Sequence, residues 1–246
     1  MKSFLKKLAA KTPSLLLQIH HLVLRSLSLE SPRPETLLKG YLDLDHRFRQ
    51  SIIANHGFKI FGGVHPKNIF NFRHEFFAEN VASNDVVLDI ACGSGIILKK
   101  IASHIARGYG IDRDVHSLSK TETAGLPDNI RLIPGDIFKT DYFALQKDIG
   151  YNVVFLSHIL EHIENVPSFL QLISAKKLLI CVPSQENWVA ALKKSLSLEI
   201  RTDGTHFREY TREMLRAELK QANYAVEFVG FNSEGEIICI ANKQVQ

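Results

Sequence analysis

A chain of 246 residues, 45% of them hydrophobic, can fill one large domain or a domain with an appendage, and is too apolar to be disordered throughout. Its net charge of +4 conceals an asymmetry: residues 1–83 carry twelve Lys and Arg against six Asp and Glu, the remainder eighteen against twenty. Cys92, Cys181 and Cys239 sit in apolar segments without metal-ligand or disulfide spacing, which excludes a zinc ribbon and fits a reducing, cytoplasmic compartment.

The first apolar run, Leu15 to Leu24, is broken by Gln18, His20 and His21 and is too short and too polar to span a bilayer. Thr12 and Pro13 form a helix start, and Leu15, Leu16, Ile19, Leu22 and Val23 recur at helical spacing, which predicts a helix over 13–29. With Lys2, Lys6, Lys7 and Lys11 ahead of it, residues 1–25 suit an anionic membrane surface; a basic-faced helix packed on its own domain is the plainer reading. Ser31, Pro32 and Pro34 end that helix, a second is expected over 35–55, and a third over 68–81 after the loop of Gly57, Gly62, Gly63 and Pro66.

From Asp85 the pattern changes to alternating strands and helices. Strands are expected at 85–90, 108–112, 129–134, 151–157 and 176–182, with helices at 94–105, 115–123, 164–174 and 184–195. A helix over 211–222 then leads into a hairpin of 224–231 and 237–241 with Asn232 to Gly235 at its turn. Near-continuous apolar strands separated by helices imply an α/β fold, a Rossmann-like, doubly wound, mostly parallel sheet, here of seven strands closed by an antiparallel pair. The domain boundary falls at 67/68, with 1–67 a helical extension or cap and 68–246 the sheet domain.

Sheets of this kind bind ligands at the carboxyl ends of their strands. Val86 to Leu98, V-V-L-D-I-A-C-G-S-G-I-I-L, puts Asp89 at such an end with Gly93 and Gly95 in the turn behind it. A dinucleotide fingerprint needs a glycine three residues after Gly95; that position is Leu98, and Ala91 stands where a glycine often precedes Gly93. The second strand ends in G-Y-G-I-D-R-D, where Asp112 can accept from ribose hydroxyls while Asp114 reads as a helix cap. The third ends in I-P-G-D-I-F, with Asp136 and Ile137, a sequence that is also a plain turn signal.

D-I-A-C-G-S-G resembles the first motif of class I S-adenosylmethionine-dependent methyltransferases. The fourth strand and its exit, Y-N-V-V-F-L-S-H-I-L-E-H-I-E-N-V, resemble the L-E-H signature of the branch with ubiquinone-biosynthesis O-methyltransferases and sugar, lipid and small-molecule enzymes. The resemblance covers about 68–241. It implies S-adenosylmethionine as cofactor, held by Arg73, Asp89, Ala91, Gly93, Gly95, Asp112, Arg113, Asp136, Ile137 and Ser157. Arg73 would meet the cofactor's carboxylate, although a solvated helix arginine near Glu75 is an equal reading; His65 reads as lining the acceptor pocket or as merely exposed.

The resemblance places His158, Glu161 and His162 beside the methyl acceptor, and His206, in T-H-F-R-E-Y-T, over the same mouth. Three readings stand. Glu161 and His162 are structural; His158, His162 or His206 is a general base; or His158, Glu161, His162 and His206 hold a divalent metal, a set softer than magnesium prefers. The expected activity is methyl transfer to oxygen on a small-molecule, sugar or lipid-linked acceptor, with no metal required. The alternatives are RNA 2′-O-methylation and a non-catalytic scaffold. Nucleic acid is not the expected partner, because no aromatic stacking platform accompanies the basic arm.

Overall fold

In the computed structural model, residues 33–48, 73–116, 118–119, 125–201 and 203–244 are described. The expected helix over 13–29, the glycine loop with His65, and residues 49–55 and 68–72 of the next two predicted helices lie outside the described residues. A helix α1, Pro34–Phe48, and a short α2, Arg73–Glu79, precede the sheet.

The sheet domain follows in chain order. Strand β1, Val86–Ile90, leads into α3, Ile96–Ile101, which tightens into a 3-10 turn over Ala102–His104. Strands β2, Arg107–Asp112, and β3, Ile130–Pro134, come next, and then α4, Tyr142–Ile149, which the sequence reading left out. Strand β4, Val153–Ser157, exits through a 3-10 turn, Leu160–His162, into α5, Val166–Leu172. The remainder is β5, Lys177–Val182, α6, Trp188–Ser195, α7, Arg212–Gln221, and the hairpin of β6, Tyr224–Phe231, and β7, Ile237–Lys243.

Seven strands form one sheet in the order β3-β2-β1-β4-β5-β7-β6, parallel except for β7, which runs against both β5 and β6. Successive side chains on a strand point to opposite faces, and each face has its own core. Leu88, Leu156 and Leu178 pack with Leu170 of α5 and Leu215 and Leu219 of α7. Their neighbours Val87, Phe155 and Leu179 pack with Phe77 of α2 and Leu98 and Ile101 of α3. Phe77 and Phe155 meet with ring centroids 4.4 Å apart, which brings the helix carrying Arg73 against β4.

Side chains of the preceding residues fix where the helices begin. Asp141, Asn165, Asn187 and Thr211 each accept from a backbone N–H in the first turn of α4, α5, α6 and α7. The predicted start of α6 at 184 is early by four residues, because Gln185 instead donates its backbone N–H to the Tyr210 carbonyl at 2.9 Å. All three cysteines are free thiols. Among the described residues, no helix is long and apolar enough to cross a membrane.

Candidate functional site

The strand order reverses between β1 and β4, so the exits of these two strands diverge and leave a crevice at their carboxyl ends. Both exits turn through a left-handed residue that is not glycine, Ala91 at φ 60° and His158 at φ 55°. Such backbone costs of order 1 kcal/mol and gathers at functional sites. In the loop after β1, Gly95 has φ 67°, and a Cβ there would lie 2.8 Å from Leu132 Cδ2, so only glycine lets this turn seat against β3.

Two cavities open on this edge and share Ala91. The larger, about 470 Å³, is lined by Asp112, Arg113, Asp136, Ile137 and Phe138 on one side and by Ile159, His162 and Thr205 on the other. The smaller, about 170 Å³, is lined by Arg73, Asp89, Gly93, Lys100 and Ser157 among others. Every donor-side residue expected from the sequence, except Gly95 in the supporting turn, therefore lines one cavity or the other.

The acids differ in engagement. Asp112 Oδ2 accepts from the Gly93 N–H at 2.7 Å and its Oδ1 from the Asp114 N–H at 2.8 Å, which ties the end of β2 to the glycine loop. Asp136 Oδ1 accepts from the Phe138 N–H at 2.9 Å. Asp89 is 1% exposed, and its Oδ2 has no hydrogen-bond partner. Burial, then the charge of Asp112, push its carboxyl up to about 8. Once ionised, this buried oxygen is suited to a cationic hydrogen-bond donor from a ligand.

Across the crevice, the two histidines of H-I-L-E-H part company. His158 places Nε2 2.7 Å from Glu236 Oε1 and Nδ1 3.4 Å from Glu161 Oε1. Both ring nitrogens thus face carboxylates, with a hydrogen bond to Glu236 and a longer ion-pair contact to Glu161. His162 Nδ1 lies 3.0 Å from Thr205 Oγ1, and that hydroxyl donates its one proton to Asp203 Oδ1 at 2.7 Å. Thr205 must then accept from His162, which fixes the proton on Nδ1 and leaves the lone pair on Nε2. Burial, and then His206, lower the His162 pKa, so the ring is neutral near pH 7.

His206 is buried, pairs through Nδ1 with Glu209 Oε1 at 2.8 Å, and sets its ring edge-on to His162 with centroids 4.6 Å apart. The four residues offered as metal ligands do not converge on one point. Glu161, His162 and His206 bring ligand atoms within 4.8 Å of one another, whereas His158 groups with Cys181 and Glu236.

Three contributors escaped the sequence reading. Glu236, Thr205 and Asp203 lie in turns, where no periodicity marks a residue, although Asn232-Ser-Glu-Gly235 announced the turn that carries Glu236.

The family described as "Methyltransferase domain" matches residues 65–228. A ubiquinone biosynthesis O-methyltransferase of Rickettsia felis is 30% identical over 116 residues, which cover 45% of this chain and 46% of that protein. The chain spans less than half the length of the curated relatives it matches. Among solved structures, magnesium protoporphyrin IX methyltransferase from Synechocystis PCC 6803, with bound SAH, has a similar fold, with a TM-score of 0.57 at 15% identity over 82% of this chain and 99% of that one. Mitomycin 7-O-methyltransferase gives a TM-score of 0.55 at 18% identity over 90% of this chain and 60% of that one.

Proposed function

The chain belongs to the methyltransferase-domain family, and from that premise we propose that it moves a methyl group from S-adenosylmethionine to an oxygen of a small-molecule, sugar or lipid-linked acceptor. The observation that carries the reading is the pair of cavities meeting at Ala91. One is framed by Asp112, Asp136 and Ile137 and suits a nucleoside; the other is framed by Asp89, Gly93 and Arg73 and suits an amino acid. Asp89 Oδ2, buried without a donor, fits the ammonium of that amino acid. The donor supplies an electrophilic methyl on a sulfonium, so the chain has only to position, exclude water and take a proton.

In this reading His162 is the general base. It lines the larger cavity, it is neutral near pH 7, and its Nε2 holds the lone pair. His158 is a positioning residue, its nitrogens committed to Glu236 and Glu161, and His206 supports the face of His162. Oxygen as acceptor is favoured by the ubiquinone biosynthesis O-methyltransferase relative and the mitomycin 7-O-methyltransferase neighbour. Within the N-terminal extension, we read the described helix α1 as part of a lid on the acceptor side. Leu42 and Asp43 of α1 share a cleft of about 150 Å³ with Lys193 and with Leu198, Glu199 and Arg201, shortly before Thr205.

Calorimetry with S-adenosylmethionine tests the premise, with micromolar to sub-millimolar binding expected; no binding would sink it. His162→Ala is expected to slow methyl transfer to a hydroxyl acceptor by roughly a hundredfold or more, with donor affinity unchanged. Equal rates in variant and parent would return His162 to a structural role.

A further inference from the structure

We propose that Glu236, carried by the turn between β6 and β7, is a positioning residue that holds the Arg73 guanidinium at the amino-acid end of the donor site. The inference rests on the S-adenosylmethionine reading above and adds to it a residue from the far end of the chain.

Arginine is long, and fixing it in one place costs up to about 2 kcal/mol of side-chain entropy. Arg73 opens the described part of α2, and its side chain is mostly buried. Two of its contacts bear on where it points. Its Nε lies 3.2 Å from Glu236 Oε2, and Nη1 donates to Ser157 Oγ at 3.4 Å. A guanidinium presents more than one edge, so an ion-pair contact at Nε is compatible with a second carboxylate on the terminal nitrogens.

The anchor is itself well fixed. Glu236 Oε2 accepts from Asn232 Nδ2 at 2.9 Å and from the Cys181 thiol at 3.3 Å, Oε1 faces His158 Nε2 at 2.7 Å, and the Glu236 N–H donates to Asn232 Oδ1 at 2.9 Å. These partners come from the end of β4, from β5 and from the hairpin turn, so the carboxylate is fixed to the sheet rather than to a single loop. Burial opposes its ionisation, but the hydrogen bond and charge of His158, with Arg73 and Asn232, pull the carboxyl down to about 2. It is therefore an anion near neutral pH. An aspartate or a glutamine would keep part of this shape but would lose the reach or the charge.

The discriminating experiment compares two probes by calorimetry: S-adenosylhomocysteine, and 5′-methylthioadenosine, which keeps the nucleoside thioether but lacks the amino-acid group. Glu236→Gln, nearly identical in shape, is expected to weaken S-adenosylhomocysteine about tenfold and to leave methylthioadenosine within about twofold; Glu236→Ala is expected to do the same more strongly. Equal weakening of both probes would mean that the site has simply collapsed, and would overturn the inference. So would unchanged binding, or tighter binding of S-adenosylhomocysteine, the mark of a carboxylate that competes for Arg73 instead of aiming it. A parent chain that binds neither probe would fail the donor reading itself.

Discussion

Burial and the charge of Asp112 hold the Asp89 carboxyl at about 8, so near neutral pH it is mostly protonated and must lose its proton to receive an ammonium. In the ligand-free chain the folded state favours the protonated form. This contribution to stability is complete below the ordinary carboxylate value of about 4 and is lost as pH rises towards 8. Binding of an amino-acid donor reverses the preference. Affinity is thus expected to fall by up to about tenfold per pH unit as pH drops below 8, and to decline again above about 8 as the donor's own α-amino group deprotonates. Calorimetry across pH 6 to 9 checks the slope. Asp89→Asn, which cannot release a proton, is expected to bind weakly with no slope below 8; an unchanged slope would place the proton elsewhere. Asp89, Asp112 and Asp136 were legible in the sequence because each sits at or just beyond the end of an apolar strand, where the fold puts ligands. Glu236 was not, because what makes it matter is a contact with Arg73 across more than 160 positions of chain.

Between residues 203 and 210 the chain has no regular structure, yet it brings Thr205 to the larger cavity, with Asp203 bonded to Thr205 and His206 against His162. It is held by stitches to three elements. The Phe207 N–H donates to the Glu161 carbonyl at 2.8 Å, Tyr210 exchanges backbone bonds with the segment after β5, and Arg208 reaches the Glu164 carbonyl. Glu218 of α7 is the common partner, accepting from Arg208 Nη1 and from the Tyr210 hydroxyl at 2.7 Å. Glu218→Ala leaves a half-buried arginine and a fully buried tyrosine hydroxyl short of a partner, at a cost of about 1–3 kcal/mol. The expected result is a lower denaturant midpoint together with slower turnover at unchanged donor affinity. Turnover equal to that of the parent would show that the seat of His206 does not depend on this tie. Helix α4 shows why elements are read unevenly: Asp141 caps it and Gly150 ends it at φ 69°, but only Tyr142 is buried, so no apolar stripe advertises it. The alternating strands were legible because burial on both faces makes them continuously apolar.

At the scale of the whole molecule, charge is distributed unevenly, and this bears on the acceptor. The residues after 83, which hold nearly all of the candidate site, carry eighteen basic against twenty acidic side chains, while the basic excess lies in residues 1–83. A domain that tracks a nucleic-acid backbone releases counterions from each phosphate it neutralises, and a site with six to ten such contacts loses roughly 10³–10⁵ in affinity between 50 and 200 mM salt. A near-neutral domain has no such dependence built into it. Methyl transfer to a hydroxylated small acceptor is therefore expected to change by less than about twofold over that salt range, with the donor saturating throughout. Measuring initial rates at both salt concentrations, with a small phenol and with RNA offered in parallel, separates the two cases. A steep loss with salt, and a preference for RNA, would move the acceptor from the small-molecule class to the polyanions and make the basic N-terminal residues its docking surface.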